Sequence, residues 1–282
     1  MLLQKKGSAI ILLFNLIVFA SLFSFFIYAH GTEDNSSGPF KDLNLVLKDK
    51  GLTYIFIGTA AIILLVAIAM RMKNQAKATK LFFFVSIAAI TTFITVYLAA
   101  STIFLNITSE TRGPVHWHSD FEIYNCGQKV DLEDPRGLSN RIGTPVFHEH
   151  NDDRVHVEGV VMEGKDVDMH TFFRVVGGEL SHEHLKIPTD GGMIEIRNGE
   201  LCGGQPAKLQ GFLYRVKNPD DVKQWKFEQE KLDDFENYIM APYTNIPPGD
   251  CIVIEFGPEK EKTEHLCSSY RVSMEKGELS GG

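Results

Sequence analysis

Ten histidines are spread through 282 residues, yet five fall in two short stretches, HWHSDFEIY at 116–124 and HEHNDDRVHVEG at 148–159. Imidazole is a good ligand for borderline transition metals. An H-x-H pair on an extended strand turns both rings to one face, because side chains there repeat with a period of two. His116 with His118 and His148 with His150 form two such pairs, and His156 follows as a fifth nitrogen donor. Brought together by strand pairing, they would offer up to four ligands to one ion, tetrahedral for zinc or tetragonal for Cu(II). Three ligands and a water would instead leave an open, catalytically useful position. Asp120 and Glu122 share the face of His116 and His118, while Asp152 and Asp153 follow His150. Such carboxylates serve as ligands or accept imidazole N–H groups around a metal.

The competing uses of these histidines are a pH-responsive surface and no special role. One H-x-H arises easily by chance, whereas two pairs and a follower within 41 residues favour a metal. A third pattern, SHEH with His182 and His184, lies in a polar stretch expected to be exposed. His170 reads as structural, Met169 as core and His265 as surface.

The elements that must position these residues are mostly strands. VHWHSDFEIY alternates, with Val115, Trp117, Phe121 and Ile123 on one face and His116, His118, Asp120 and Glu122 on the other, so a half-buried strand is expected. NCGQ then supplies a turn into KVDL, and RVHVEGVVM is a second alternating strand. DVDMHTFFRVVGG predicts a short helix with Asp166 or Asp168 as N-cap and Gly177 past its end. Strands are expected in MIEIRNGELCGG, AKLQGFLYRVKN and CIVIEF. A helix is expected from Pro219, because Trp225, Leu232, Phe235 and Ile239 recur at helical spacing. The tail EKGELSGG is low in complexity.

Ahead of this lie three apolar segments, 7–29, 52–70 and 81–105, each near the roughly 20 residues of helix that cross a bilayer. The expected layout is therefore an anchor over 1–30, an outer loop over 31–51, a transmembrane hairpin over 52–105 and an exported domain over 106–282. The first segment also suits a signal peptide, although its apolar run exceeds the usual 7–15 residues. Lys5, Lys6 and the basic loop RMKNQAKATK at 71–80 put those parts in the cytoplasm. The chain after 105 then lies outside a cell membrane. That portion holds nineteen Lys and Arg against thirty-two Asp and Glu. Such a surface repels nucleic acid and weakly gathers cations.

All four cysteines, Cys126, Cys202, Cys251 and Cys267, lie in the same portion. Outside the reducing cytoplasm an even number reads as two disulfides with three possible connectivities. Cys126–Cys202 with Cys251–Cys267 is preferred, though spacing alone does not prove it.

The pieces HWHSDFEIYNCG, HEHND, VHVEG and HTFFRVVG resemble a family of uncharacterised membrane-anchored or secreted prokaryotic proteins. Their pattern runs H-x-H, a hairpin with Gly, H-x-H-[DN], a strand I-H-[IV]-E and a short helix with F-F. The resemblance covers roughly residues 114–178 and implies a site at His116, His118, His148, His150 and His156, without implying an activity. Asp120 stands where those proteins often carry another histidine. HWHSDFE is also similar to the H-x-H-x3-E motif of cupins, but the glycine spacing differs and cupins lack the DVDMHTFFRVV helix.

The sequence thus predicts an α+β chain: three N-terminal transmembrane helices, then a mostly β extracytoplasmic domain with one or two helices. Its expected function is capture, buffering or delivery of copper or zinc at one site, with the membrane and the ion as partners and any protein partner unspecified. A metal-dependent, cupin-like enzyme and a partner-binding ectodomain are the alternatives. No Ser-His-Asp arrangement, phosphate-cradling loop or nucleotide fingerprint points to turnover.

Overall fold

The computed structural model describes residues 39–136, 140–221 and 223–281. The chain divides into two compact units at Leu105–Asn106. The apolar segment 7–29 lies outside the described residues.

The first unit is built on two long helices, α1 (Pro39–Arg71) and α2 (Lys77–Thr108). Over Val46–Arg71 and Lys77–Thr108 they are long and apolar enough to cross a membrane. Helix α1 starts at Pro39, so the second half of the expected outer loop is helical instead. Glycines let the two helices approach closely: a Cβ on Gly58 would stand 2.3 Å from Ile94 Cδ1. Tyr54 packs edge-on against Phe93 and Tyr97, with ring centroids 5.4 and 4.8 Å away.

The second unit is mixed α+β. Its strands are β1 (Pro114–Asn125), β2 (Gln128–Val130), β3 (Ile142–Gly143), β4 (Phe147–Glu149), β5 (Arg154–Val160), β6 (Glu179–Leu180), β7 (His184–Thr189), β8 (Gly192–Arg197), β9 (Leu201–Cys202), β10 (Gln205–Pro206), β11 (Lys208–Val216), β12 (Trp225–Leu232), β13 (Cys251–Gly257) and β14 (Leu279–Gly281). Two short helices join them, α3 (Met169–Val175) and α4 (Ser268–Glu275). Nine strands form one sheet in the order β14-β12-β11-β13-β1-β5-β4-β3, with β2 pairing β1. β6, β7 and β8 form a separate antiparallel sheet.

Alternation on the central strands fills two cores, one on each face of the large sheet. Ile252, Ile254 and Phe256 of β13, with Phe121, Ile123, Val155 and Val157, meet Met169, Phe172 and Phe173 of α3 and Leu185 and Ile187 of β7. On the opposite face Cys251, Val253, Phe212, Tyr214 and Tyr124 pack with Phe227 and with Tyr270 of α4. Helix α3 begins as its sequence indicates, with Asp168 accepting from the Thr171 amide at 2.7 Å. Met169 is fully buried in the first core.

Three expectations are corrected. The stretch after Pro219 forms strand β12, antiparallel to β11, in place of a helix. Trp225, Phe227, Gln229 and Lys231 alternate with Lys226, Glu228 and Glu230, and this period of two outweighs the chance helical spacing of Trp225, Leu232, Phe235 and Ile239. Phe235 then lies over Gly211, where a Cβ would come within 2.2 Å of the Phe235 Cβ. Strand β1 is buried on both faces from Ser119 to Tyr124, because the second core covers the side that carries Asp120 and Glu122. The start of EKGELSGG completes α4, and its end forms β14 beside β12, with Leu279 buried.

Both disulfides of the preferred pairing are present. Cys126–Cys202 ties the β1–β2 turn to β9, and Cys251–Cys267 ties β13 to the start of α4. The turn itself has Cys126 and Gly127 at φ 50° and 79°. Positive φ at both central residues matches the twist of a two-residue hairpin.

Candidate metal centre

Register places the histidines. β1 and β5 run antiparallel with His116 opposite Glu158, His118 opposite His156 and Asp120 opposite Arg154. β5 and β4 pair His156 with His148. His118, His156 and His148 therefore form a row across three adjacent strands on one sheet face. His116 and His150 flank the row, one residue pair further along β1 and just beyond β4.

The row holds two overlapping triplets, His116/His118/His156 and His148/His150/His156, and within each the candidate ligand atoms lie within 4.8 Å of one another. Zinc–nitrogen bonds of 2.0–2.1 Å place neighbouring tetrahedral ligands about 3.3 Å apart. The Nε2 atoms of His148 and His150 already stand 2.9 Å apart. These two nitrogens would need little displacement to share an ion. Burial also grades along the row: the His116 side chain is 57% exposed, that of His156 10%, and His148 is 1% exposed overall.

Hydrogen bonds set the tautomers. A carbonyl or carboxylate oxygen only accepts, so a neutral ring bonded to one must donate from that nitrogen and keep its lone pair on the other. His118 Nδ1 bonds the Thr244 carbonyl, and His150 Nδ1 bonds the Asn140 carbonyl. Both rings therefore hold an Nε2 lone pair. His156 Nε2 lies 3.2 Å from Asp152 Oδ2, and His116 Nε2 lies 3.1 Å from Glu158 Oε1. The His156 ring therefore keeps its lone pair on Nδ1, whereas the His116–Glu158 contact is an exposed ion-pair approach that fixes no tautomer. The buried Nδ1 atoms of His148 and His156 have no protein partner among the described residues. Three of the five rings, His118, His150 and His156, are thus oriented by oxygen acceptors, the arrangement that commonly supports metal-bound histidine.

Burial favours the neutral form of His148 and of His118. Burial, reinforced by His150 and His156, pushes the His148 imidazole down to about 4. Burial also lowers His118 against the opposing effect of the Thr244 carbonyl. For Asp152 burial acts upward, but the hydrogen bond from His156, with the nearby Arg154 charge, outweighs it and holds the carboxyl below its ordinary range. A folded-state histidine value below the unfolded 6.5 means that the unfolded chain binds more protons between the two. The associated stability is complete above about pH 6.5 and is lost as pH falls towards 4. Melting of the metal-free protein should therefore drop by several degrees from pH 7 to pH 4.5, and His148→Gln should flatten that slope. An equal slope in both proteins would contradict it.

The suggested supporting carboxylates separate. Asp152 serves His156. Asp120 instead bonds Arg154 at 2.9 Å and the Ser269 hydroxyl, and Glu122 accepts from Tyr124 Oη at 2.6 Å, the Ser268 amide at 3.0 Å and Arg271 at 3.2 Å. Both belong to the anchoring of α4 on the sheet. Glu158 was missed, yet it follows His156 by two and could have been found from the same alternation. The carbonyls of Asn140 and Thr244 left no sequence signal, because any residue supplies one.

The other histidines lie elsewhere. His184 is not exposed as expected: it sits on β7 with 13% of its side chain accessible, Nε2 3.0 Å from Glu195 and Nδ1 3.6 Å from Glu179. His182 stacks on Phe235, with ring centroids 5.6 Å apart. His170 Nδ1 bonds the Leu180 carbonyl at 2.7 Å, a structural contact. His265 is stacked on Tyr124 at 3.5 Å in place of lying free on the surface. A cleft of about 580 Å³ lined by Asn125, Lys129, Asp131, Asp134 and Asp190 includes none of the five clustered histidines.

The β3–β4 hairpin sets where His148 points, and Gly143 is its tight spot. Its φ of +106° disfavours any side chain, and an added Cβ would lie 2.6 Å from Phe147 O and 3.1 Å from His148 Cα. Gly143→Ala should cost about 1–3 kcal/mol in denaturant unfolding. A change within 0.5 kcal/mol would show that the hairpin yields freely. No family model, curated protein or solved structure matches the chain.

Proposed function

We propose that this chain is a membrane-anchored protein whose exported domain binds a copper or zinc ion through His116, His118, His148, His150 and His156, for capture, buffering or delivery. The convergence of five imidazoles in two triplets sharing His156 carries the conclusion. The donor set favours borderline divalent ions. Imidazole and carboxylate suit Zn(II) and Cu(II), whereas soft ions prefer thiolate or thioether. All four cysteines are in disulfides and Met169 is in the core. On this view the H-x-H pairs and the VHVEG strand behind the family resemblance are the ligand-bearing segments.

Two disulfides fit an oxidising compartment. The basic residues Arg71, Lys73, Lys77 and Lys80, at the facing ends of the two apolar helices and in the turn between them, support a cytoplasmic turn with residues 106–282 outside. A reporter active only outside the cytoplasm should work when fused after Gly282 and fail when fused within 72–76.

The binding test uses the full chain in detergent, stripped with chelator and titrated with Zn(II) or Cu(II). One ion per chain is expected by metal analysis after desalting. Changing His116, His118, His148 and His150 together to glutamine should leave none. Equal metal retention by the variant would remove the assignment.

A further inference from the structure

The metal reading treats the five histidines as one centre, but their geometry is graded. Resting on that reading, we infer that the two triplets are successive stations for a single ion, with entry at His116/His118/His156, retention at His148/His150/His156, and His156 as the ligand kept throughout the passage.

Three observations carry this. First, the outer triplet is open to solvent at His116, while the inner one ends at fully buried His148. An ion from solution meets the outer rings first, drawn by an acidic surface that includes Glu158 beside His116. Second, the inner triplet has two nitrogens, Nε2 of His148 and of His150, already 2.9 Å apart, close to ligand spacing. Less rearrangement means tighter equilibrium binding, because the ordering is done in advance. Third, His156 stands in register between His118 and His148, with ring centroids 4.6 and 5.4 Å away. An ion held by His156 can therefore exchange its remaining ligands from β1 to β4 without leaving the protein. In that exchange His118 and His116 are released as His148 and His150 bind. When His148 Nε2 becomes a ligand, its ring proton passes to Nδ1, which has no partner among the described residues.

A shared ligand also limits occupancy. A neutral imidazole offers one lone pair, so His156 serves one ion at a time.

Stopped-flow loading of the full chain in detergent with Zn(II), read with a chromophoric chelator, separates the stations. His116→Gln with His118→Gln should slow loading by about tenfold or more, yet leave the final affinity within about threefold of wild type. His148→Gln with His150→Gln should load as fast as wild type but bind at least about tenfold more weakly. Because His148 is buried, His150→Gln alone is the second variant, with the same direction expected. Two ions per wild-type chain, an unchanged loading rate in the first variant, or equal affinity losses in both pairs would overturn the relay. A wild-type chain that binds no zinc or copper would overturn the underlying metal assignment, which is a different result.

Discussion

His156→Ala is expected to lose metal affinity by about a hundredfold or more, the largest effect of any single substitution. Removing an outer partner of a metal-bound histidine typically costs 10–100-fold, and His156 is itself the member common to both triplets. The change strips one donor from each set and cuts the row between His118 and His148. Asp152→Ala, which takes away the acceptor 3.2 Å from His156 Nε2, should fall between, at roughly tenfold. His184→Ala should change nothing, since His184 bonds Glu195 on the separate small sheet. Competition titration against a chelator of known affinity reads all three. A His156→Ala protein within threefold of wild type would mean that the row does not hold the ion.

The second large effect concerns stability. Serine in place of Cys126 and Cys202 should cost about 4.5 kcal/mol, and in place of Cys251 and Cys267 about 3 kcal/mol, from the loop-entropy relation for closed loops of these lengths. The separations are 76 and 16 residues. The longer link holds the turn after β1 to β9, and the shorter holds β13 to α4. Denaturant unfolding of each double variant measures the loss. Native protein under denaturing conditions should show no reactive thiol before reduction. The reverse order of losses would argue that strain or residual unfolded structure dominates over chain entropy.

Local patterns were legible in the sequence where one element decides the outcome. The alternation in 115–123, the Asp168 cap before Met169 and the paired H-x-H segments all depend on neighbours within a few residues. Register was not legible. That His118 faces His156 and His156 faces His148 follows from how three strands align, and a shift of one residue on β5 would have turned His156 into the first core. The expected single four-ligand cluster therefore became two triplets with a shared member. Asp120 and Glu122 were misread for a related reason. Their partners, Ser269, Ser268 and Arg271, come from α4 almost 150 residues later, and no local pattern announces that a helix will cover that face. Strand β12 was mistaken for a helix because Phe235 and Ile239, past its end, happened to extend a helical spacing from Trp225.

The most direct measurement is X-ray absorption at the metal edge of the full chain loaded with one equivalent of Zn(II). Imidazole ligation predicts nitrogen or oxygen neighbours at about 2.0–2.1 Å with the outer-shell scattering of several histidine rings, lost in the His156→Ala protein. A sulfur shell at about 2.3 Å, or a shell of oxygen alone without ring scattering, would contradict a histidine-held ion.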